Sequence, residues 1–440
     1  MEKVELINPS NVREVLNRHL LADGLNLVFD LERSRGSRIY DAKAGEFCLD
    51  FFSCFSTVPL GYNHPRLTAR ETIEELGWAA VQKPSNPDIY TPEMAAFVDT
   101  FSRFGVPESM PHMFLIEGGA LAVENALKTS FDWKVRKNLA SAKGERGSQV
   151  IHFQDAFHGR SGYTLTLTNT DPIKTDFFPK FNWPRISNPN CVFPLEGENL
   201  EKVMAAEEEA LNQIRTVLDA IGGDVACLII EPIQCEGGDH HFRPEFHRAL
   251  RQICDQYDIL FIYDEVQTGF GMTGKMWAFE HFVEPDIASF GKKSQVCGLI
   301  AGPRVDEVPD NVFKVSNRLN STWGGNLVDR VRSRIHMEIF EDENTFEHVR
   351  VMGDLLLREI QQLQADYPDK LSNARGLGLL CAFDLPDTET RDRLVKDLFK
   401  RHLIILGCGS RAIRFRTSLN IPEKDLREGL SIIGDAVRAL

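Results

Sequence analysis

Long hydrophobic runs are missing from this 440-residue sequence, which nowhere places about 18 apolar residues in succession, as a membrane-spanning helix requires. Its first residues also lack the basic-then-apolar pattern of a secretory signal. Basic charge is scarce, because 50 lysines and arginines stand against 64 acidic residues and the net charge is −14. These absences predict a cytoplasmic protein that binds neither a membrane nor nucleic acid.

Metal-binding and disulfide patterns are absent as well. The nine cysteines are odd in number and show no Cys-x-x-Cys spacing, which argues against a disulfide framework and a zinc site. The histidines His240, His241 and His247 match no familiar metal spacing, so we expect no metal. The lack of internal repeats and low-complexity tracts predicts one continuously folded subunit.

What the sequence does contain is an alternation of apolar strands and helical segments over residues 66–325. This alternation predicts a large α/β domain with a mainly parallel sheet and covering helices. Residues 1–65 are expected to form an N-terminal segment that packs with a smaller domain. That smaller α+β domain is predicted for residues 326–440, and it opens with a long helix-like region that runs to about Asp366.

One apolar strand ends in an acid. The run from Ile259 to Tyr263 delivers Asp264 to the carboxyl end of a predicted parallel strand, where open α/β sheets bind ligands. A carboxylate there can pair with a pyridinium N–H, and the amide of Gln267 can contact a ring oxygen. A lysine further along, Lys292 or Lys293, can condense with an aldehyde. These are the requirements of pyridoxal phosphate.

The two adjacent lysines compete for that role, and we expect only one of them to point inward. Residues 286–292 read as a short strand that ends at Lys292, with Gly291 easing the turn toward the cofactor. A neighbouring cation at Lys293 would help to lower the pKa of the reactive amine.

Two further segments fit a phosphorylated ring. Gly118, Gly119 and Ala120 precede a helical pattern, so their N–H groups can bind phosphate, although such a loop taken alone is more often a plain turn. In the next strand-end loop, Phe157 can stack on a ring and Arg160 can bind a carboxylate. The alternatives for these two are core packing and a surface salt bridge.

A third glycine-rich segment resembles a nucleotide-binding loop but lacks one required residue. Residues 269–275 have the spacing of a nucleotide-binding P-loop as far as Lys275, but Met276 follows where such a loop needs serine or threonine. Hydrolysis of ATP or GTP is therefore not expected.

Taken in order, the motifs resemble those of the class III, or ω-amino acid, aminotransferases of pyridoxal-phosphate fold type I. The resemblance covers nearly the whole chain and implies a large domain with a mainly parallel seven-stranded sheet, and a homodimer with shared active sites. The residues that carry it are Leu60 to Pro65, Gly118 to Ala120, Phe157 to Arg160, Glu231 to Gln234, Asp264 to Gly271, Lys292, Ser321 with Thr322, and Arg414.

The resemblance assigns roles residue by residue. Asp264 pairs with the pyridine nitrogen and Gln267 contacts the ring hydroxyl, while Thr322 reaches the phosphate from the neighbouring subunit. The family's lysine lies six residues beyond the aspartate that matches Asp286, which selects Lys292. The full set implied to bind the cofactor is Gly119, Ala120, Phe157, His158, Asp264, Gln267, Lys292, Ser321 and Thr322, with Lys292 and Asp264 catalytic.

The substrate is suggested by departures from the commonest family pattern. The segment 291–298 lacks the usual glycine-rich run, and Gly118 stands where serine is frequent. With segment 320–326, this makes the chain most similar to members that act on lysine. The expected reaction moves the ε-amino group of L-lysine to 2-oxoglutarate and gives glutamate and an aldehyde, 2-aminoadipate 6-semialdehyde, which cyclises to 1-piperideine-6-carboxylate. Ornithine, acetylornithine and 4-aminobutyrate stay open as donors, and so does a protein that binds the cofactor without turnover.

A site that accepts both lysine and a dicarboxylate needs a switch. The resemblance to ornithine-type members implies that Glu236 pairs with Arg414 while lysine binds through Arg160, and releases Arg414 when glutamate or 2-oxoglutarate binds. A permanent salt bridge between Glu236 and Arg414 is the alternative. The residues expected to contact substrate are Arg160, Glu236, Gln267, Asn320 and Arg414.

Overall fold

The computed structural model describes residues 7–440 and is built around a seven-stranded sheet. Six of the strands run in one direction, and Cys297–Ala301 alone is antiparallel to both of its neighbours. The predicted mainly parallel sheet is therefore present. Across the sheet the strands follow the order His112–Ile116, Cys297–Ala301, Ile287–Phe290, Leu260–Asp264, Val225–Ile230, Gln149–Phe153 and Arg185–Ile186.

The central strands are apolar throughout because the sheet is covered on both faces. Every residue of Val225–Ile230 and of Leu260–Asp264 is buried. Successive side chains point to opposite faces, so Phe261 and Tyr263 join one hydrophobic core while Leu260 and Ile262 join a second. Continuous apolar runs, rather than alternating ones, are typical of such doubly covered parallel strands.

Helices cover the sheet and extend into the C-terminal part. Pro244–Gln256 shows how the sequence forms them: a proline opens the first turn, and Phe246, Leu250 and Ile253 form a buried stripe. The α-helices of the described residues are Val12–Asn17, Ser53–Ser56, Arg70–Val81, Pro92–Phe104, Gly119–Ala140, Thr164–Leu167, Gly197–Ile221, Pro244–Gln256, Leu327–Asp342, Thr345–Asp366, Thr388–Lys400 and Glu423–Arg438. Short 3₁₀ turns lie at Pro9–Asn11, Pro172–Lys174, Gly222–Asp224, Ala278–His281, Lys292–Ser294 and Pro303–Glu307.

Two smaller sheets accompany the large one. An antiparallel sheet contains Ser372–Leu377, Leu380–Asp384, Ala412–Arg414 and Leu406–Cys408. A three-stranded sheet joins Arg38–Asp41 and Glu46–Asp50 to Leu403–Ile404, so the N-terminal part of the chain is hydrogen-bonded to the C-terminal part. The division of the chain at residues 65 and 325 stays a prediction.

Two local predictions differ from the structure. The long helix-like region is two helices, because Asn344 adopts a left-handed conformation (φ 49°) between Leu327–Asp342 and Thr345–Asp366. The strand expected to reach Lys292 ends at Phe290 instead, and Lys292 begins a 3₁₀ turn.

The carboxyl ends of the parallel strands meet at one edge of the large sheet. Five segments that leave this edge carry polar residues singled out by the sequence: 117–120, 155–160, 231–236, 264–267 and 291–293. Among residues 7–440, the helices include none long and apolar enough to cross a lipid bilayer.

Candidate active site

A cavity of about 460 Å³ opens at this edge of the sheet. Its size is typical of a small-molecule site. Seven of the residues predicted to bind the cofactor line it: Gly119, Ala120, Phe157, His158, Asp264, Gln267 and Lys292. Thr57, Gly159, Glu231, Val266, Gln295 and Cys297 complete the lining.

Asp264 is buried at the end of its strand, and its position is fixed by three groups. Its Oδ2 lies 2.8 Å from Nδ1 of His158, and its Oδ1 accepts the backbone N–H of Val266 at 3.0 Å. The hydroxyl of Ser289 lies 3.3 Å from the same Oδ1. The contact with His158 therefore helps to fix the Asp264 carboxylate in a position where a ring N–H can reach it.

Lys292 and Lys293 lie in different surroundings, and only one of them lines the cavity. Lys292 lines the cavity, whereas Lys293 is 1% exposed and its Nζ donates to the backbone carbonyl of Gln267. Burial, together with the positive charges of Arg414 and Arg416, lowers the pKa of Lys292 to about 8. These arginines, rather than the predicted Lys293, are the cations that contribute most to the lowering.

Gly291 is needed for a reason other than the predicted one. Its φ of 177° is an extended conformation that any residue adopts, but an added Cβ would lie 2.9 Å from Sγ of Cys297. The left-handed conformation falls on Lys292 itself, whose φ is 55°. Space, and not turn geometry, therefore requires the glycine before the lysine.

The helix Gly119–Ala140 presents its N-terminus to the cavity. Gly118 precedes it with φ 96°, and the first N–H groups of the helix donate to no capping side chain. Gly159 approaches this helix start so closely that a Cβ there would lie 2.4 Å from Cβ of Ala120. The uncapped N–H groups and the helix dipole together favour an anion at this position.

Pyridoxal phosphate fits these residues. Oε1 of Gln267 and Nε2 of His158 are buried atoms without a hydrogen-bond partner among the described residues, and both residues line the cavity. A ring hydroxyl would satisfy the Gln267 oxygen, a pyridinium N–H would meet Asp264, and a phosphate would meet the helix start.

Glu231 is a cavity residue that the sequence interpretation used only as a family marker. Its carboxylate accepts the backbone N–H of Phe157 at 2.9 Å and that of Cys235 at 3.2 Å. Burial, reinforced by the nearby negative charge of Asp264, raises the pKa of Glu231 to about 7. The residue thus connects the loop that carries Phe157 to the loop that leads to Glu236.

Glu236 forms the predicted pair with Arg414, at 2.8 Å between Oε2 and Nη2. Arg414 is buried, and its Nε and Nη1 have no partner among residues 7–440. The other oxygen of Glu236 lies 2.8 Å from Nζ of Lys174, a residue that no sequence motif indicated. Although burial acts to raise it, Arg414 and Lys174 hold the pKa of Glu236 below its ordinary value.

Other predicted residues lie outside the cavity lining. Arg160 is exposed and forms no ion pair within the described part of the chain. Asn320, Ser321 and Thr322 lie on a loop that does not line the cavity of their own chain. These four residues are therefore absent from the cavity lining of a single chain.

The P-loop-like segment at residues 269–275 also lies away from that cavity. Nζ of Lys275 donates to the carbonyl of Glu280 at 2.8 Å, so this lysine forms a local hydrogen bond outside the cavity.

Comparison with known proteins identifies the family. Residues 21–437 match the class III aminotransferases. Among curated relatives, L-lysine-epsilon aminotransferase of Mycobacterium tuberculosis is 49% identical over 98% of this chain and 96% of its own. The Streptomyces clavuligerus enzyme of that name is 45% identical over 99% and 95%. Mitochondrial 4-aminobutyrate aminotransferase of Rattus norvegicus is 32% identical over 95% and 86%.

Solved structures agree with this result. Lysine aminotransferase from M. tuberculosis in the internal aldimine form superposes with a TM-score of 0.96 at 49% identity, covering 98% of this chain and 100% of the other. This confirms the predicted pyridoxal-phosphate fold type I. Acetylornithine aminotransferase from Elizabethkingia anophelis, 24% identical with a TM-score of 0.75 and covering 99% and 100%, shares the fold. The chain belongs to the class III aminotransferases, which are transaminases that use pyridoxal phosphate as cofactor.

Proposed function

We propose that this enzyme transfers the ε-amino group of L-lysine to 2-oxoglutarate, giving glutamate and an aldehyde that cyclises to 1-piperideine-6-carboxylate. The observation that carries the proposal is the 45–49% identity, over nearly full length, to relatives named as lysine-epsilon aminotransferases. Identity to the rat 4-aminobutyrate enzyme is lower, at 32%. Arg414, a buried cation close enough to influence Lys292, suits substrates that carry carboxylates.

In this proposal two residues carry out the catalytic work. Bound pyridoxal phosphate would supply an aldehyde for the amino group and an electron-withdrawing ring for the electron pair left when the substrate loses a proton. Asp264 keeps the ring nitrogen protonated, and His158 holds Asp264 in place. Lys292 holds the cofactor through its amine and then moves the proton at the reacting carbon of the substrate. Its pKa, lowered to about 8, makes a larger fraction of the amine neutral near physiological pH than in an ordinary lysine.

Other cavity residues position the cofactor. We assign the phosphate to the N–H groups of Gly119 and Ala120, the ring face to Phe157, and the ring hydroxyl to Gln267. Each assignment is supported by placement in the cavity lining.

Two arginines would distinguish the substrates. Lysine would bind its carboxylate through Arg160 while Glu236 neutralises Arg414, leaving the ε-amino group free to approach Lys292. Glutamate or 2-oxoglutarate would engage both arginines after Glu236 releases Arg414. The 2.8 Å contact supports the closed arrangement, and the two unpartnered nitrogens of Arg414 offer donors for a second carboxylate.

We further propose a homodimer with shared active sites, acting in the cytoplasm. Large apolar side chains such as Trp78 and Tyr90 are 79% and 77% exposed in the single chain, which is typical of a surface that a partner covers. Thr322, absent from the cavity of its own chain, would then contact the phosphate in the other subunit, with Ser321 beside it and Asn320 near the substrate. All nine cysteines are free thiols, which suits a reducing compartment.

The test is a comparison of amino donors in a single half-reaction. The holoenzyme would be mixed separately with L-lysine, L-ornithine, N-acetylornithine and 4-aminobutyrate without acceptor, while the near-visible absorbance of the cofactor is followed and each product is identified. Lysine should bleach the band fastest and give the cyclic product. A faster reaction with any other donor would refute lysine as the substrate, and no bleaching with any donor would indicate binding without turnover.

A further inference from the structure

The Glu236 carboxylate has two cationic partners, one on each oxygen. Arg414 contacts Oε2 and is 3% exposed, while Lys174 contacts Oε1 and is 24% exposed. Both contacts measure 2.8 Å. A carboxylate shared in this way does not become unpaired when one of its partners is taken away.

The structure fixes the position of Lys174 independently of Glu236. Lys174 ends the 3₁₀ turn Pro172–Lys174, which Asp171 caps by accepting the N–H of Ile173 at 3.0 Å. The Nζ of Lys174 lies 3.4 Å from the hydroxyl of Thr170 and 5.6 Å from the centre of the Phe157 ring. The cation of Lys174 is therefore held close to Phe157, a residue of the cavity lining.

Open space beside Glu236 would let its side chain leave Arg414 while it keeps its contact with Lys174. A second cavity of about 450 Å³ is lined by both Lys174 and Glu236, and Arg414 is not part of its lining. The backbone of Glu236 is anchored, because its carbonyl accepts the N–H of Gly409 at 2.9 Å. A change of partner thus requires only rotation of the glutamate side chain.

We propose that Lys174 is a positioning residue that receives the charge of Glu236 when a dicarboxylate substrate takes Arg414. In the closed arrangement Arg414 already neutralises Glu236, so Lys174 adds little. In the open arrangement Glu236 would keep its contact with Lys174, and without that lysine a partly buried carboxylate would lose its remaining ion pair. Lys174 therefore lowers the cost of opening and favours glutamate and 2-oxoglutarate selectively. This inference rests on the switch described under the proposed function, but not on lysine being the donor.

The experiment replaces Lys174 in the holoenzyme and measures each half-reaction separately. Lys174→Met should raise the apparent dissociation constant of glutamate about fivefold, the scale of one partly exposed ion pair, with little change in the limiting rate. The constant for lysine should change less than twofold. Lys174→Arg should restore glutamate binding. Competition by glutarate, an unreactive dicarboxylate of the same length, should weaken by the same factor and provides a readout other than turnover.

A double mutant separates this role from direct substrate contact. If Lys174 acts through Glu236, Lys174→Met should have no further effect in a Glu236→Gln background. An effect of equal size in that background would show that Lys174 itself binds the carboxylate and would overturn the proposal. Equal weakening of lysine and glutamate, or no change for either, would also overturn it.

The matched control is Lys202→Met, which removes a lysine that pairs with Glu198 at 2.6 Å on an exposed helix face. It should alter neither half-reaction. If the wild-type enzyme proved to prefer another ω-amine, the lysine assignment would fail, while the glutamate and glutarate comparisons would still decide the role of Lys174.

Discussion

Replacement of Glu236 by glutamine would test whether its pair with Arg414 is a switch or a fixed salt bridge. Glutamine has the shape of glutamate and can still donate or accept a hydrogen bond, but it has no charge. In Glu236→Gln, Arg414 would keep its buried position with its charge no longer neutralised. A second substrate carboxylate would then find this arginine free without first displacing Glu236.

The size of the effect follows from the geometry. Two unit charges about 4 Å apart attract each other by about 4 kcal/mol at an effective dielectric constant of about 20. The expected difference between Glu236 and its glutamine variant is smaller, because desolvation opposes the ion pair and Lys174 would keep its contact with Glu236 if the pair opened. We expect about 1 to 2 kcal/mol, which corresponds to a factor of about 5 to 30 in the dissociation constant of glutamate.

The assay is rapid mixing of the holoenzyme with each amino donor, monitored through the near-visible absorbance of the cofactor. The apparent dissociation constant of glutamate should fall by the stated factor, while that of lysine should not fall. Glu198→Gln, which neutralises the glutamate paired with Lys202 on an exposed helix, serves as the control and should leave both constants unchanged. The reasoning is refuted if Glu236→Gln changes both constants by one factor or changes neither.

Three further predictions concern other parts of the site. Lys292→Ala should abolish transamination and the borohydride-stable attachment of the cofactor, and peptide mapping that found the wild-type attachment on Lys293 would contradict the lysine assignment. Mixed dimers of Lys292→Ala and Thr322→Ala subunits should recover activity that neither parent shows fully, because one of the two sites is then intact; recovery no greater than the average of the parents would exclude shared sites. Glu231→Gln should change the pH dependence of thermal unfolding. The pKa of Glu231 is raised to about 7, so the folded wild type binds more protons than the unfolded chain between about pH 4.5 and 7 and loses stability as the pH rises through this window. The melting temperature of the variant relative to wild type should therefore rise across that range, and a constant difference would show that Glu231 does not titrate there.

The sequence predicted best the features that depend on local pattern. The strand Leu260–Asp264 and the helix that begins at Gly119 follow from apolar runs and glycine placement alone. The same pattern could not show that Asn344 breaks the C-terminal helical region, since asparagine adopts the left-handed conformation only in particular contexts. Nor could it show that Gly291 is required by the approach of Cys297.

Cavity residues from distant segments were the hardest to predict. Thr57 contributes to the cavity lining and its carbonyl accepts the side-chain N–H of Gln295 at 2.9 Å, although 238 positions separate the two residues. Glu231 could have been predicted from the sequence as a site residue, because it is an acid at the end of a buried strand, as Asp264 is. What the sequence lacked was the information that its carboxylate would be buried between two loops.

The Glu236 site shows why an ion pair can be predicted from sequence while its energetics cannot. Glu236 and Arg414 occupy motif positions, so family resemblance was enough to pair them. Lys174 occupies no motif, and it reaches Glu236 only because a short capped turn places it there. Yet the free energy needed to separate Glu236 from Arg414 would depend on what the carboxylate contacts afterwards, and not only on the ion pair that is broken. Two enzymes with the same Glu236–Arg414 pair but different residues at the position of Lys174 would therefore differ in their balance between lysine and glutamate.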